Sequence, residues 1–432
     1  MAGTAPDDLL IAAPRVITAV GSGGAGPNGA GTGGAAPDVL APGWVSVTGG
    51  RVSAAGAGAP PRPPDAELPS GLLAPGFVDL QVNGYFGTEF STADAAGWAT
   101  VAGRLPETGT TAFLPTIITA PLDELAGSLR RAAALIPGLP AGAKVLGMHV
   151  EGPFISPRRK GAHNEEWITD ATPDAVEALL AAGSGQLRVV TLAPERPGAI
   201  AAITRLTQAG VLVSVGHSDA TAEQVAAAAG AGARLVTHLF NAQSPLRHRE
   251  PGVPGQALAD DRLASGLIAD LHHVAGQVCR VAFTAAPGRV FLVTDAAACA
   301  GMPPGRYLLG NRPIELPPGD GVPPVRTDGT LAGSALRMDV AVANMVSLGA
   351  PLASAVTAAT RIPADLIGRA DLGRIAPGAA ADLVWLDDDL RARATWVNGD
   401  LVYGDKTYPG MVYSATRPGR APRPAPDEGA RR

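Results

Sequence analysis

Eight short apolar runs, rich in β-branched residues, recur between positions 77 and 294, and most of the gaps between them carry an Ala- and Leu-rich helical pattern. The runs are Phe77–Val82, Thr111–Leu114, Val145–Val150, Leu187–Leu192, Val211–Val215, Leu235–Thr237, Gly266–Ala269 and Val290–Thr294. The helical stretches include Asp123–Leu135, Pro173–Ala182, Ala199–Ala209 and Thr221–Ala229. A strand followed by a helix-length crossover returns to its sheet parallel to itself, not as a hairpin. Eight such units predict an α/β chain with a closed (β/α)8 barrel over residues 76–372. Two further helices are expected at Ala335–Leu348 and Pro351–Thr360.

The chain ends read differently. Residues 8–20 and 44–55 look like short strands, and the turn-rich stretch from Gly373 ends in a strand at Trp385. Ala394–Tyr403 reads as two strands across the Asn398-Gly399 turn. These late strands need a partner sheet, and the N-terminal strands supply it. Residues 1–75 with 373–412 are therefore expected to form a small β-sandwich domain built from both ends of the chain. Gly21–Pro37 is expected to be a flexible hairpin loop, and the Pro/Arg/Ala-rich stretch 413–432 a disordered tail.

Composition narrows the class. At 46% hydrophobic and 17% charged residues, the chain can fill a large core. A net charge of −5 excludes a broad nucleic-acid-binding face. Two cysteines, Cys279 and Cys299, make no disulfide framework and fit a reducing compartment. No leader-like or membrane-length apolar segment is read, so a cytoplasmic location without membrane partners is expected.

Four of the runs end on a chemically capable side chain: Glu151, His217, His238 and Asp295. A parallel barrel gathers its strand C-termini around one mouth, so these residues should meet. Each has an ordinary alternative: an acid at a loop start, a structural imidazole, or, for Asp295, a helix N-cap. Two histidines on consecutive βα units reverse the odds. Two imidazoles and a carboxylate suit a divalent metal with an open position, and Asp295 can act as the base on water activated there. The chain reads as a metal-dependent hydrolase. More polar residues follow neighbouring strands: Ala162-His163-Asn164, Asn241-Ala242, Arg249 and Asp270-Leu-His-His273. A guanidinium with imidazoles and backbone amides suits a phosphate monoester, although His248 and Arg249 taken alone read equally well as a solvated loop.

The segments Pro75–Gly84, His149–Phe154, Lys160–Asn164, Thr191–Glu195, Gly216–Ala220, Thr237–Ala242, Arg249–Gly252, Gly266–Val274, Leu292–Asp295 and Leu331–Ser334, in that order, resemble the N-acetylglucosamine-6-phosphate deacetylases of the amidohydrolase superfamily. The resemblance implies hydrolysis of the acetamide of N-acetylglucosamine 6-phosphate to glucosamine 6-phosphate and acetate, within amino-sugar catabolism and cell-wall sugar recycling. It implies Glu151, His217 and His238 as metal ligands, Asp295 as catalytic acid/base and His163 as a catalytic donor near the substrate carbonyl. It places Ala162, Asn241, Ala242, Arg249, Asp270, His273, Leu331, Ala332 and Gly333 around the sugar phosphate. It implies a homodimer, with the phosphate end of the site near the partner subunit. Two departures stand out. Gln81-Val-Asn83 occupies the place where many amidohydrolases carry His-x-His, so one divalent ion per subunit is expected, Zn²⁺ first, with Fe²⁺, Co²⁺ and Mn²⁺ open. Gln243 stands where the family usually has Met.

Overall fold

The computed structural model describes residues 9–19, 39–319 and 321–404, and the backbone of 412–413. The expected Gly21–Pro37 loop, and the expected tail from residue 414 onward, lie outside the described residues.

The barrel strands are β1 (Phe77–Val82), β2 (Thr110–Ile118), β3 (Met148–Glu151), β4 (Leu187–Leu192), β5 (Leu212–Val215), β6 (Leu235–Val236), β7 (Ala264–Leu267) and β8 (Val290–Leu292). Each pairs in parallel with the next in chain order. The ring closes just past β8, where Asp295 N donates to Gln81 O at 2.9 Å and Val82 bridges Ala296 in parallel. Below this closure the buried Asp79 carboxylate accepts from Thr294 Oγ1 at 2.5 Å and from Thr294 N at 3.2 Å. All residues of β1, β2 and β3 are buried, as expected for a sheet covered on both faces.

The helices lie where the pattern put them: Leu122–Leu135, Pro173–Gly183, Ala199–Gln208 and Ala222–Ala231, then Met338–Ser347 and Leu352–Ala359. Thr221, read as helical, is instead the N-cap of its helix. Its hydroxyl accepts from Gln224 N while Gln224 Oε1 accepts from Thr221 N.

Local expectations change at several places in the barrel. The run Val145–Val150 is not one strand. Lys144–Val145 pairs with β2, the chain breaks at Gly147 (φ +128°), and β3 begins at Met148. A Cβ on Gly147 would lie 2.5 Å from Gln186 O, so the backbone must come too close there to continue an extended run. The seventh strand starts two residues before its expected position, at Ala264. A hairpin that the pattern did not suggest, Gly305–Leu309 with Arg312–Leu316, turns at Gly310-Asn311 and packs beside the mouth.

Strands from both chain ends form two further sheets. One contains Leu9–Ala13, Gly43–Thr48 and Arg51–Ala57; the other joins Val16–Ile17 and Leu72–Pro75 to Leu383–Leu386, Ala392–Val397 and Asp400–Gly404. The stretch read as one strand over 44–55 is thus two, split at Gly49-Gly50. Ile11, Val45, Val47, Leu383, Trp385 and Trp396 share one buried apolar cluster. Tyr413, placed in the tail by its sequence, pairs with Ala66. Lys144 ties this layer to the barrel through Asp382, with its Nζ 2.7 Å from Oδ2.

Candidate metal centre and active site

Each chemical residue sits at or just past the end of a barrel strand. His217, His238 and Asp295 have φ of +47°, +28° and +52°. Side chains with a Cβ rarely adopt this left-handed region, which costs on the order of 1–3 kcal/mol and is tolerated where function needs the resulting direction. The twist falls two or three residues past each strand end and turns the side chain into the mouth.

There Glu151 Oε1 lies 3.1 Å from His238 Nε2 and 3.3 Å from His217 Nε2, and the two ring nitrogens are 3.1 Å apart. All three residues are buried. His217 Nδ1 donates to Arg159 O at 2.9 Å, which leaves the Nε2 lone pair facing the cluster. Three acceptor atoms this close need a cation or a proton between them. A borderline nitrogen–nitrogen–oxygen donor set fits a divalent transition ion, so these residues fit the metal that the sequence implied. Against the upward push of burial, the three imidazoles of His163, His217 and His238 hold the Glu151 carboxyl well below its usual range.

Asp295 adjoins the cluster through Gln81, whose Nε2 donates to Glu151 Oε1 and to Asp295 Oδ1, both at 3.0 Å. Asn83 Nδ2 also donates to Asp295 Oδ1, at 2.7 Å. The amides that stand in place of the His-x-His pair thus clamp the Asp295 carboxyl. Burial first, then the Glu151 charge, push the Asp295 carboxyl up to about 6, against the pull of His238 and Asn83. A group so placed can both take and return a proton near neutral pH. No helix follows Asp295 directly, so the N-cap alternative falls away.

His163 stacks edge-on to His217, with ring centroids 4.4 Å apart. Its Nε2 is 3.7 Å from Glu151 Oε2. Burial lowers its pKa to about 4. Ala162 is half-buried against the added hairpin, and Arg312 Nη2 of that hairpin donates to Asn164 Oδ1 at 2.7 Å.

The other sequence-derived positions divide. Leu331–Gly333 runs against the closure: Ser334 N donates to Asp295 O at 2.8 Å, and a Cβ on Gly333 would lie 3.0 Å from that oxygen. The Ala332 side chain is fully buried in the hairpin cluster. Asn241 Nδ2 folds back onto His238 O at 3.2 Å. Ala242 O accepts from Ser218 N, joining the loops of His217 and His238. Asp270 accepts at Oδ1 from the backbone of His272 and His273 and at Oδ2 from His273 Nδ1, 2.6 Å away. Asp270 is therefore engaged in holding the His273 ring. Arg249 stands exposed on the loop 245–250. Gln243 is buried, with Nε2 on Thr237 O and Oε1 on Phe240 N, so it braces the turn after His238.

Sequence reasoning missed Thr119 and Arg159 and noticed Glu195 only as part of a motif. Glu195 accepts from Ser218 Oγ at 2.8 Å and from Asp219 N at 2.6 Å, pinning the segment after His217. Arg159 acts through its carbonyl, which no side-chain pattern advertises.

A parallel barrel with a two-imidazole, one-carboxylate cluster and an adjacent carboxylate at its strand ends is the arrangement of a metal-dependent hydrolase, and residues 72–406 match the Amidohydrolase family. The chain is 41% identical over 346 residues to the N-acetylglucosamine-6-phosphate deacetylase of Bos taurus, covering 77% of this chain and 83% of that one. It is 39% identical over 340 residues to an N-acetylgalactosamine-6-phosphate deacetylase of Escherichia coli, covering 78% and 88%. A variant of the Mycobacterium smegmatis N-acetyl-D-glucosamine-6-phosphate deacetylase, solved in complex with N-acetyl-D-glucosamine-6-phosphate, superposes with a TM-score of 0.83 at 35% identity, over 91% of this chain and 99% of that chain. The chain belongs to the amidohydrolase family, in the branch of the N-acetylglucosamine-6-phosphate deacetylases.

Proposed function

We propose that this protein hydrolyses the N-acetyl group of N-acetyl-D-glucosamine 6-phosphate, giving D-glucosamine 6-phosphate and acetate. The observation that carries the reading is the single Gln81 amide that touches both Glu151 and Asp295, because it sets the acid/base one amide's width from the ligand cluster. Glu151, His217 and His238 would hold one divalent ion per subunit, Zn²⁺ in the first instance. That ion, when bound, supplies Lewis acidity: it polarises a carbonyl oxygen and acidifies water.

The protein's own groups do the rest. Gln81 and Asn83 occupy Oδ1 of Asp295, and no hydrogen bond among the described residues engages Oδ2. Oδ2 takes the proton of the attacking water as its oxygen bonds the acyl carbon. The same carboxyl returns that proton to the amide nitrogen as the C–N bond breaks. His163 donates to the acyl oxygen, where charge gathers in the transition state. The turns carrying Ala162, Asn241–Ala242 and Leu331–Gly333 border the sugar. His273, held by Asp270, and Arg249 address the phosphate. Exposure of the 245–250 loop leaves Arg249 free to serve the site of a homodimer partner. The charge balance and the cysteine usage favour a cytoplasmic enzyme, and no helix among the described residues is long and apolar enough to cross a membrane.

Acetate release from N-acetylglucosamine 6-phosphate by Zn²⁺-loaded protein tests the reading. Unphosphorylated N-acetylglucosamine and N-acetylgalactosamine 6-phosphate serve as parallel substrates. Fast, chelator-sensitive release from the first alone is the expected result. Preference for the galactosamine epimer, the substrate in the Escherichia coli relative's name, would reassign the sugar and keep the reaction. No release from any of them would overturn the proposal.

A further inference from the structure

Thr119 lies one residue past the end of β2, buried, with its hydroxyl between a backbone carbonyl and a ring nitrogen. Its Oγ1 is 2.7 Å from His163 Nδ1 and 3.2 Å from Glu151 O. It occupies space that only glycine leaves open, since a Cβ on Gly152 would lie 2.1 Å from the oxygen. The hydroxyl has one proton and can give it to either neighbour, not to both. If the proton goes to Glu151 O, Nδ1 must carry the ring proton and Nε2 a lone pair. If it goes to Nδ1, Nε2 carries the proton.

The far side of the ring decides between them. His163 Nε2 faces Glu151 Oε2 at 3.7 Å. An ionised carboxylate only accepts, so a lone pair at Nε2 would face another lone pair, whereas an N–H there points with favourable polarity into the cluster. We propose that Thr119 is a positioning residue: by donating to His163 Nδ1 it fixes the ring tautomer with the proton on Nε2, where it can be given to the substrate's acyl oxygen. The catalytic half of this rests on the deacetylase reading above; the tautomer does not.

The test uses Zn²⁺-loaded protein with ¹⁵N-labelled histidine. The chain has seven histidines, and His163→Gln assigns the signal of interest. Expected for the parent protein is a His163 ring with a pyridine-like Nδ1 and a pyrrole-like Nε2. In Thr119→Val that pattern should reverse or mix, while Thr119→Ser keeps it. In kinetics, Thr119→Val is expected to lower kcat by about 10- to 100-fold with KM nearly unchanged, less than loss of a whole carbonyl donor, and Thr119→Ser should restore most of it. In a His163→Gln background, Thr119→Val should cost little more, because both changes remove one function. A pyrrole-like Nδ1 in the parent protein would overturn the proposal. So would a Thr119→Val penalty of equal size with and without His163. If the parent protein releases no acetate but shows the expected ring pattern, the tautomer assignment stands and the substrate reading falls.

Discussion

Asp295 is held by two neutral amides and no cation. Gln81 and Asn83 both donate to its Oδ1, and burial keeps the carboxyl near 6. A cation in their place would pull the pKa down and weaken the base. Asp295→Asn preserves shape, so it should retain Zn²⁺ while lowering kcat by about 10²- to 10⁴-fold; metal content by atomic emission beside acetate release checks this. Near-normal turnover would remove Asp295 from the mechanism. The same amides bear on stoichiometry. Their nitrogens point at carboxylates, which leaves no second nitrogen-rich site, and Zn²⁺ titration should saturate at one tightly held ion per chain. Two ions would mean that the amides turn and ligate through oxygen. That Glu151, His217, His238 and Asp295 meet at one mouth was legible in the sequence because each ends or follows a recognisable strand. Thr119, Asn83 and Gln81 acquire their roles from contacts across 44, 212 and 214 positions of chain, and nothing local encodes such a pairing.

At the scale of elements, the segment 156–164 wraps His217. Ser156 N donates to His217 O, Arg159 O accepts from His217 Nδ1, and Asp219 pairs with both Arg158 and Arg159. Gly161 leaves little room for a side chain: at φ +56°, a Cβ there would lie 3.1 Å from His217 Cε1. Gly161→Ala should therefore tilt the ring and lower Zn²⁺ affinity by about 10- to 100-fold, as changes around metal-binding histidines do. Competition with a chromogenic chelator measures this without turnover, and unchanged affinity would sink the coupling. The loop 245–250 gives a contrasting case. Arg249→Ala should raise KM for the phosphorylated sugar far more than for its unphosphorylated analogue, and equal effects on both would refute a phosphate contact. Strand and helix identities were readable because buried β-branched runs and Ala/Leu periodicity are local signals. The hairpin 305–316 was not: its second strand carries Pro313, a poor strand former, and Tyr307-Leu308-Leu309 in its first is an unbroken apolar run. Nor was the break at Gly147, which follows from the approach of Gln186 on the neighbouring chain segment.

The whole barrel depends on one closure, and that closure is built on a buried acid. Asp79 joins β1 to the end of β8 through Thr294, and burial outweighs its hydrogen bonds to push the carboxyl from 3.8 up to about 7. In the folded state the group keeps its proton to near neutrality; in the unfolded chain it has lost it by about pH 5. Between those values the native state binds the extra proton, so stability contributed by the protonated acid is full at low pH and is lost as pH rises toward 7. A shift of this size corresponds to about 4 kcal/mol in total, of which about 2–3 kcal/mol falls between about pH 5 and about pH 7.5. Asp79→Asn keeps the shape and removes the titration. Whatever its absolute stability, its Tm should fall less than that of the parent protein as pH rises across that window. Parallel Tm profiles would show that Asp79 is already ionised in the native fold, held by Thr294 and Gln81, and that the closure is anionic throughout.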